Sequence, residues 1–223
     1  MSLTLADHGA QHLPLALDAT ALSIIESCLA NLPANLPGQR LASLPALAAL
    51  LGAAGSIGRH ASGHLGPKAQ PVRAILFDKS AANNWALGWH QDRTIAVRSR
   101  THAPGFGPWT VKSGIHHVAP PQSLLDRMLT LRVHLDPVDA DNAPLLIAPG
   151  SHSHGRVPEA DVAPLVERCG TYACIAERGD IWLYATPILH ASEAATNPRH
   201  RRVLQLDYSA DTLPGALEWL GVS

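Results

Sequence analysis

Long apolar runs are absent from this chain of 223 residues. Nowhere does it reach the roughly 18 consecutive apolar residues that a membrane-spanning helix needs, so no membrane partner is expected. The N-terminus shows no basic stretch followed by an apolar core, so no secretory signal is expected. Cysteine is scarce: Cys28, Cys169 and Cys174 make an odd number. Without a signal, that predicts reduced thiols in a cytoplasmic protein, buried as small hydrophobes. Charge is sparse too, at 16% of residues with a formal net charge of -1. Basic residues are scattered, with only a short run at Arg199 to Arg202, which excludes an electrostatic footprint for nucleic acid. Low-complexity linkers and internal repeats are missing, and the length suits one globular domain over 1–223.

Histidine is plentiful by contrast, at 13 residues, a mild pointer toward metal chemistry. The first 70 or so residues read as a helical part. Residues 1–16 look irregular. Asp18 caps a helix from about Ala21 to Leu32, closed by Pro33 and Pro37. A second helix spans Ser43 to Leu51. The glycines Gly52, Gly55 and Gly58 resemble a phosphate-binding loop, but no strand precedes them, so helix ends and a turn are the better reading. A loop follows over Gly63 to Gln70.

From about residue 71 to the end the pattern changes to short apolar runs between turns. Strands are expected at Val72–Phe77, Thr94–Arg98, Met128–Leu135, Leu145–Ala148, Tyr172–Ala176, Ile181–Tyr184 and Val203–Tyr208. In Met128–Leu135 the alternation is clean, with Leu129, Leu131, Val133 and Leu135 on one face and Thr130, Arg132 and His134 on the other. Glu177 to Asp180 is a hairpin-type turn. This predicts a mainly β chain, a jelly roll or barrel with helices at its N-terminal end. Ala103 to Pro121 reads as a long loop, either an active-site lid or plain surface.

The chemistry centres on Trp89-His90-Gln91-Asp92. In an extended strand, residues two apart share a face, so His90 and Asp92 can grip one metal ion. A third ligand must come from elsewhere, and His190 is the best candidate. Two imidazoles and one carboxylate, with open positions opposite, make the facial triad of non-haem Fe(II) oxygenases. The same three ligands would also suit a zinc hydrolase.

The full ordered set is His90-Gln91-Asp92, Asn142-Ala143-Pro144, Pro149-Gly150-Ser151-His152, Gly179-Asp180, His190-Ala191-Ser192 and Arg201-Arg202. From about Val72 onward this chain resembles the phytanoyl-CoA dioxygenase family, with one departure: Asn-Ala-Pro stands where members often show Asn-Gly-Pro. The resemblance implies a double-stranded β-helix (cupin-like jelly roll) with N-terminal helices packed against it. It implies Fe(II) as cofactor on His90, Asp92 and His190, and 2-oxoglutarate as cosubstrate. The expected activity is hydroxylation of a small organic molecule, with 2-oxoglutarate and O2 converted to succinate and CO2. Alternatives are desaturation, epimerisation or a non-catalytic cupin-like binding protein. Halogenation is disfavoured, because Asp92 occupies the position a halide would need.

In the family, the arginine that meets the distal carboxylate of 2-oxoglutarate stands eleven residues after the distal histidine, which here is Arg201. Alternation turns Arg202 to the opposite face. Further candidates for cosubstrate contact are Lys79, Thr130 and Trp109. Candidates for the substrate pocket are Gln91, Arg132 and His117, whereas His152 and His154 read as turn residues. No basic cluster suited to a CoA phosphate is visible, which favours a smaller substrate.

Overall fold

Alternating burial builds two facing sheets. The computed structural model describes residues 2–33 and 36–222. Its strands, in chain order, are Ala10–Leu13 (β1), Gln39–Leu41 (β2), Gln70–Lys79 (β3), Leu87–His90 (β4), Ile95–Val97 (β5), Trp109–Lys112 (β6), Ile115–Val118 (β7), Leu129–His134 (β8), Leu145–Ile147 (β9), Tyr172–Cys174 (β10), Ile181–Ala185 (β11), His190–Ser192 (β12) and Arg201–Ser209 (β13). The helices are Leu5–His8 (α1), Ala19–Leu29 (α2), Ala48–Leu51 (α3), Gly58–Leu65 (α4), Gln122–Leu125 (α5) and Glu159–Cys169 (α6).

The major sheet has the order β1-β11-β8-β13-β3-β2, and the minor sheet β10-β9-β12-β4. All pairs within them are antiparallel. One face of the major sheet carries Ala74, Leu76, Leu131, Val133, Leu204 and Leu206, packed under the helical N-terminal part through Leu22, Ile25, Leu47, Leu51 and Ile57. The other face meets the minor sheet: Trp182 and Tyr184 of β11 pack with Leu145 and Ile147 of β9 and Cys174 of β10. This is the jelly roll with appended helices that the pattern predicts. No described helix is long and apolar enough to cross a membrane.

The glycines at 52, 55 and 58 serve packing. A Cβ on Gly58 would stand 2.1 Å from the carbonyl oxygen of Gly52, and one on Gly55 would stand 2.2 Å from that of Ala49. They let α3 turn tightly into α4, as a helix-junction reading requires.

Several segments differ from the sequence reading: β2 and α5 are unassigned there, and the expected loop over Gly63 to Gln70 begins inside α4 and ends in β3. Residues 1–16 are not irregular: β1 extends the major sheet beside β11, and His12 stacks on Trp182 at 4.7 Å. So short a strand carries too little alternation to be read alone. Ala103 to Pro121 is not a structureless loop. It contains the β6–β7 hairpin, which with β5 forms a three-stranded side sheet. The turn is Ser113-Gly114, with φ of 52° and 76°. Positive φ at both central residues of a two-residue turn matches strand twist, so the Ser-Gly dipeptide was the available signal. Helix α6, unassigned from sequence, buries Val162, Leu165 and Val166 against Trp89 and Leu189, and so backs the minor sheet.

Candidate active site

His90 ends β4 and His190 begins β12, and the two are direct partners in the ladder. Their rings stand 4.3 Å apart at 56°. Asp92 lies two residues past His90, just outside the strand. A ligand atom from each of the three falls within 4.8 Å of the others, the one such group of its kind among the described residues.

Each imidazole is oriented by the backbone. His90 donates from Nδ1 to the Gly88 carbonyl at 2.7 Å, and His190 from Nδ1 to the Ile188 carbonyl at 3.0 Å. This tautomer leaves both Nε2 lone pairs free, the usual way a ligating histidine is fixed. Burial, reinforced by His90, brings the His190 pKa down to about 4, so its ring is neutral at pH 7. Burial alone would raise the Asp92 carboxyl. The Arg73 guanidinium, helped by His190 and His90, overrides it and holds the group at about 2. Arg73 joins two carboxylates, giving Nη2 to Asp92 at 2.9 Å and Nε to Asp207 at 2.5 Å. It was missed from sequence, although a lone arginine inside the apolar run Pro71 to Phe77 was the signal.

Gln91 points away from Asp92 and pins the stretch in place. Its amide donates to the carbonyls of Gly155 and Pro187, both at 2.8 Å, and accepts from Val157 N at 2.9 Å. It thus ties His90 and Asp92 to the segment leading into His190.

The triad stands in the wall of a cavity of about 380 Å³ between the two sheets. Arg201, Arg132, Gln91 and Gln205 also line it. Arg201 is 2% exposed. It donates from Nη1 to the Ala143 carbonyl, while its Nε is buried without a partner. No carboxylate pairs with it among the described residues. Burial, with Arg132 nearby, lowers its pKa to about 9. The Ala143 backbone that receives it has φ of 51°, which accounts for glycine being common at that position. Arg202 faces the other way and binds Asp136 and Glu26. Arg132 donates to Gln205 at 3.0 Å and lies over Phe77.

Four candidates stand outside the cavity wall. Lys79 is buried behind β12, with Nζ bonded to the Glu193 carbonyl at 2.6 Å, and burial followed by Arg201 and Arg132 lowers its pKa to about 8. Thr130 gives its hydroxyl to Asp207 at 3.1 Å. Trp109 packs with the side-sheet cluster. His117 is buried, with Nδ1 on the Ile115 carbonyl. His134 is buried with both ring nitrogens unpaired. His152 lies against Gly9 rather than the triad.

Two imidazoles with free Nε2 atoms and an ionised carboxylate on one side of a cavity suit a divalent transition metal and fit Fe(II). The family model described as Phytanoyl-CoA dioxygenase (PhyH) matches residues 56–203. The chain belongs to the phytanoyl-CoA dioxygenase family. It is a non-haem iron, 2-oxoglutarate-dependent oxygenase. No curated protein matches it at a significant level. Among solved structures it is similar to EctD from S. alaskensis with bound Fe, at 20% identity and a TM-score of 0.69, covering 98% of this chain and 78% of that one. EctD with 2-oxoglutarate and 5-hydroxyectoine gives 19% identity and a TM-score of 0.65, covering 92% and 73%. HygX from Streptomyces hygroscopicus, with nickel, 2-oxoglutarate and hygromycin B bound, gives 13% and 0.63, covering 92% and 84%. At these identities the likeness concerns the fold.

Proposed function

We propose that this member of the phytanoyl-CoA dioxygenase family hydroxylates a small organic molecule at an Fe(II) centre held by His90, Asp92 and His190, with the whole of 1–223 as one oxygenase domain. The observation that carries the assignment is the pair of free Nε2 atoms beside an ionised carboxylate. When bound, iron with 2-oxoglutarate and O2 supplies the oxidising power for C–H hydroxylation, with succinate and CO2 as co-products. The chain's own residues do the rest. The Gly88 and Ile188 carbonyls hold the imidazoles in register, Arg73 keeps Asp92 ionised and aimed, and Gln91 locks the loop. Arg201, a buried cation without a carboxylate partner, supports the reading that the distal carboxylate of 2-oxoglutarate sits there. A charge so placed gains most from a carboxylate's bidentate geometry. EctD and HygX were crystallised with 2-oxoglutarate, which supports the same cosubstrate here. Three free thiols suit a reducing compartment such as the cytoplasm.

Metal analysis and anaerobic 2-oxoglutarate titration test this. Wild type should take up about one Fe(II), and alanine at His90, Asp92 or His190 should remove most of it. Wild-type iron content in all three variants would move the metal elsewhere. Zinc retention without any 2-oxoglutarate turnover would turn the same ligands into a hydrolase site.

A further inference from the structure

Two of the cationic side chains around the cavity are left without a task. Six cationic side chains line it, Arg40, Arg73, Arg93, Lys112, Arg132 and Arg201, against the single carboxylate of Asp92. Four have partners or a role: Arg73 holds Asp92 and Asp207, Arg132 holds Gln205, Arg93 gives Nη2 to the Val157 carbonyl, and Arg201 is assigned to 2-oxoglutarate. Arg40 and Lys112 remain. Neither makes an ion pair or a side-chain hydrogen bond among the described residues, and Arg40 Nε is buried without a partner. A guanidinium N–H left desolvated and unpaired is unfavourable, and a bound anion would relieve it.

Both residues come from additions to the barrel. Arg40 stands on β2, the edge strand beside β3, and Lys112 at the end of β6, next to the hairpin turn. With Arg73 they surround His117, where their charges add to burial in lowering the pKa of that ring. Ile75, Phe77, Leu87 and Leu145 give the same cavity an apolar wall. Its volume lies near the lower end of the roughly 300–1,000 Å³ of ordinary ligand sites, and cosubstrate and substrate must share it.

We infer that the substrate is a small organic anion with an apolar body, and that Arg40, assisted by Lys112, binds its carboxylate or phosphate group. This rests on the proposed function only in giving the Arg201 end to 2-oxoglutarate.

The test uses inorganic phosphate as probe on the full chain, loaded with Ni(II) as a redox-inert stand-in and saturated with 2-oxoglutarate, with binding read by calorimetry. Wild type should bind phosphate without releasing 2-oxoglutarate. Arg40→Gln should bind it about tenfold to a hundredfold more weakly, the loss of one charge-assisted bond. Lys112→Gln, at an exposed position that tolerates change, should show a smaller loss in the same direction and stands in for the first variant if that one folds poorly. Phosphate that displaces 2-oxoglutarate, fails to bind the saturated wild type, or binds both variants as tightly as wild type overturns the inference. A 2-oxoglutarate titration of Arg201→Ala runs alongside. If its affinity matches wild type, the cosubstrate assignment fails by itself, and the phosphate comparison still decides the anion site.

Discussion

Arg201 and Arg202 are adjacent in sequence and have opposite surroundings. Arg201 lies in the cavity wall with one bond to the Ala143 carbonyl, and Arg202 bridges Asp136 and Glu26 on the far face of the sheet. With the distal carboxylate of 2-oxoglutarate placed on Arg201 as proposed, replacing that residue by alanine would strand the carboxylate in a partly desolvated pocket. Loss of one partner from such a pair costs about 2–5 kcal/mol, so 2-oxoglutarate should bind roughly 30-fold to several thousand-fold more weakly. Iron binding should persist, because the triad is untouched. Arg202→Ala should leave the titration unchanged and lower stability by no more than about 1 kcal/mol, since its ion pairs are partly solvated. Titrations and urea melts on both variants check this. An affinity loss in Arg202→Ala alone would contradict the assignment of faces.

At the scale of elements, the turn from α3 into α4 is the most demanding junction of the N-terminal part. Gly58→Ala places a methyl 2.1 Å from the Gly52 carbonyl oxygen, and the backbone on both sides must move to accept it. Helix α4 and the neighbouring Leu51 and Ile57 belong to the cluster that covers the outer face of the major sheet. The expected loss is about 1–3 kcal/mol, typical of overpacking, read as a lower urea midpoint. The proposed metal site lies on the opposite face, so iron content should not change. A Gly58→Ala protein as stable as wild type would mean that the junction can relax.

Across the whole molecule, several buried imidazoles are kept neutral. Burial puts His117 at about 4 and His134 well below its ordinary value. The unfolded chain takes up these protons as pH falls below about 6.5, whereas the folded chain resists them, His117 until about 4. Stability is therefore fully present above about pH 6.5 and is lost as the pH falls toward 4. His117→Asn keeps a donor for the Ile115 carbonyl but cannot titrate. Its urea stability should fall less than that of wild type between pH 7 and 5, a window inside that range. Equal losses in the two proteins would remove His117 from the account.

The sequence by itself determined the parts that depend on short spacing. The alternation in Met128 to Leu135 sorted β8 into an apolar and a polar face, and the polar face meets the cavity through Arg132. His-x-Asp put two metal-ligand types side by side, and the ordered motifs identified the family. Three kinds of feature were decided only by tertiary structure. The β6–β7 hairpin and β1 are held by partners distant in sequence, and their own patterns are too short to announce them. Arg73 became the orienting cation because β3 lies beside β13, which carries Asp207. Most consequentially, basic residues that look scattered along a chain of net charge -1 converge on one cavity. Arg40 and Lys112 are 72 positions apart, and only the packing of β2 and the β6–β7 hairpin around the barrel brings both to its wall. Charge along a sequence is a one-dimensional average, whereas the potential that an anion meets depends on distances that folding sets.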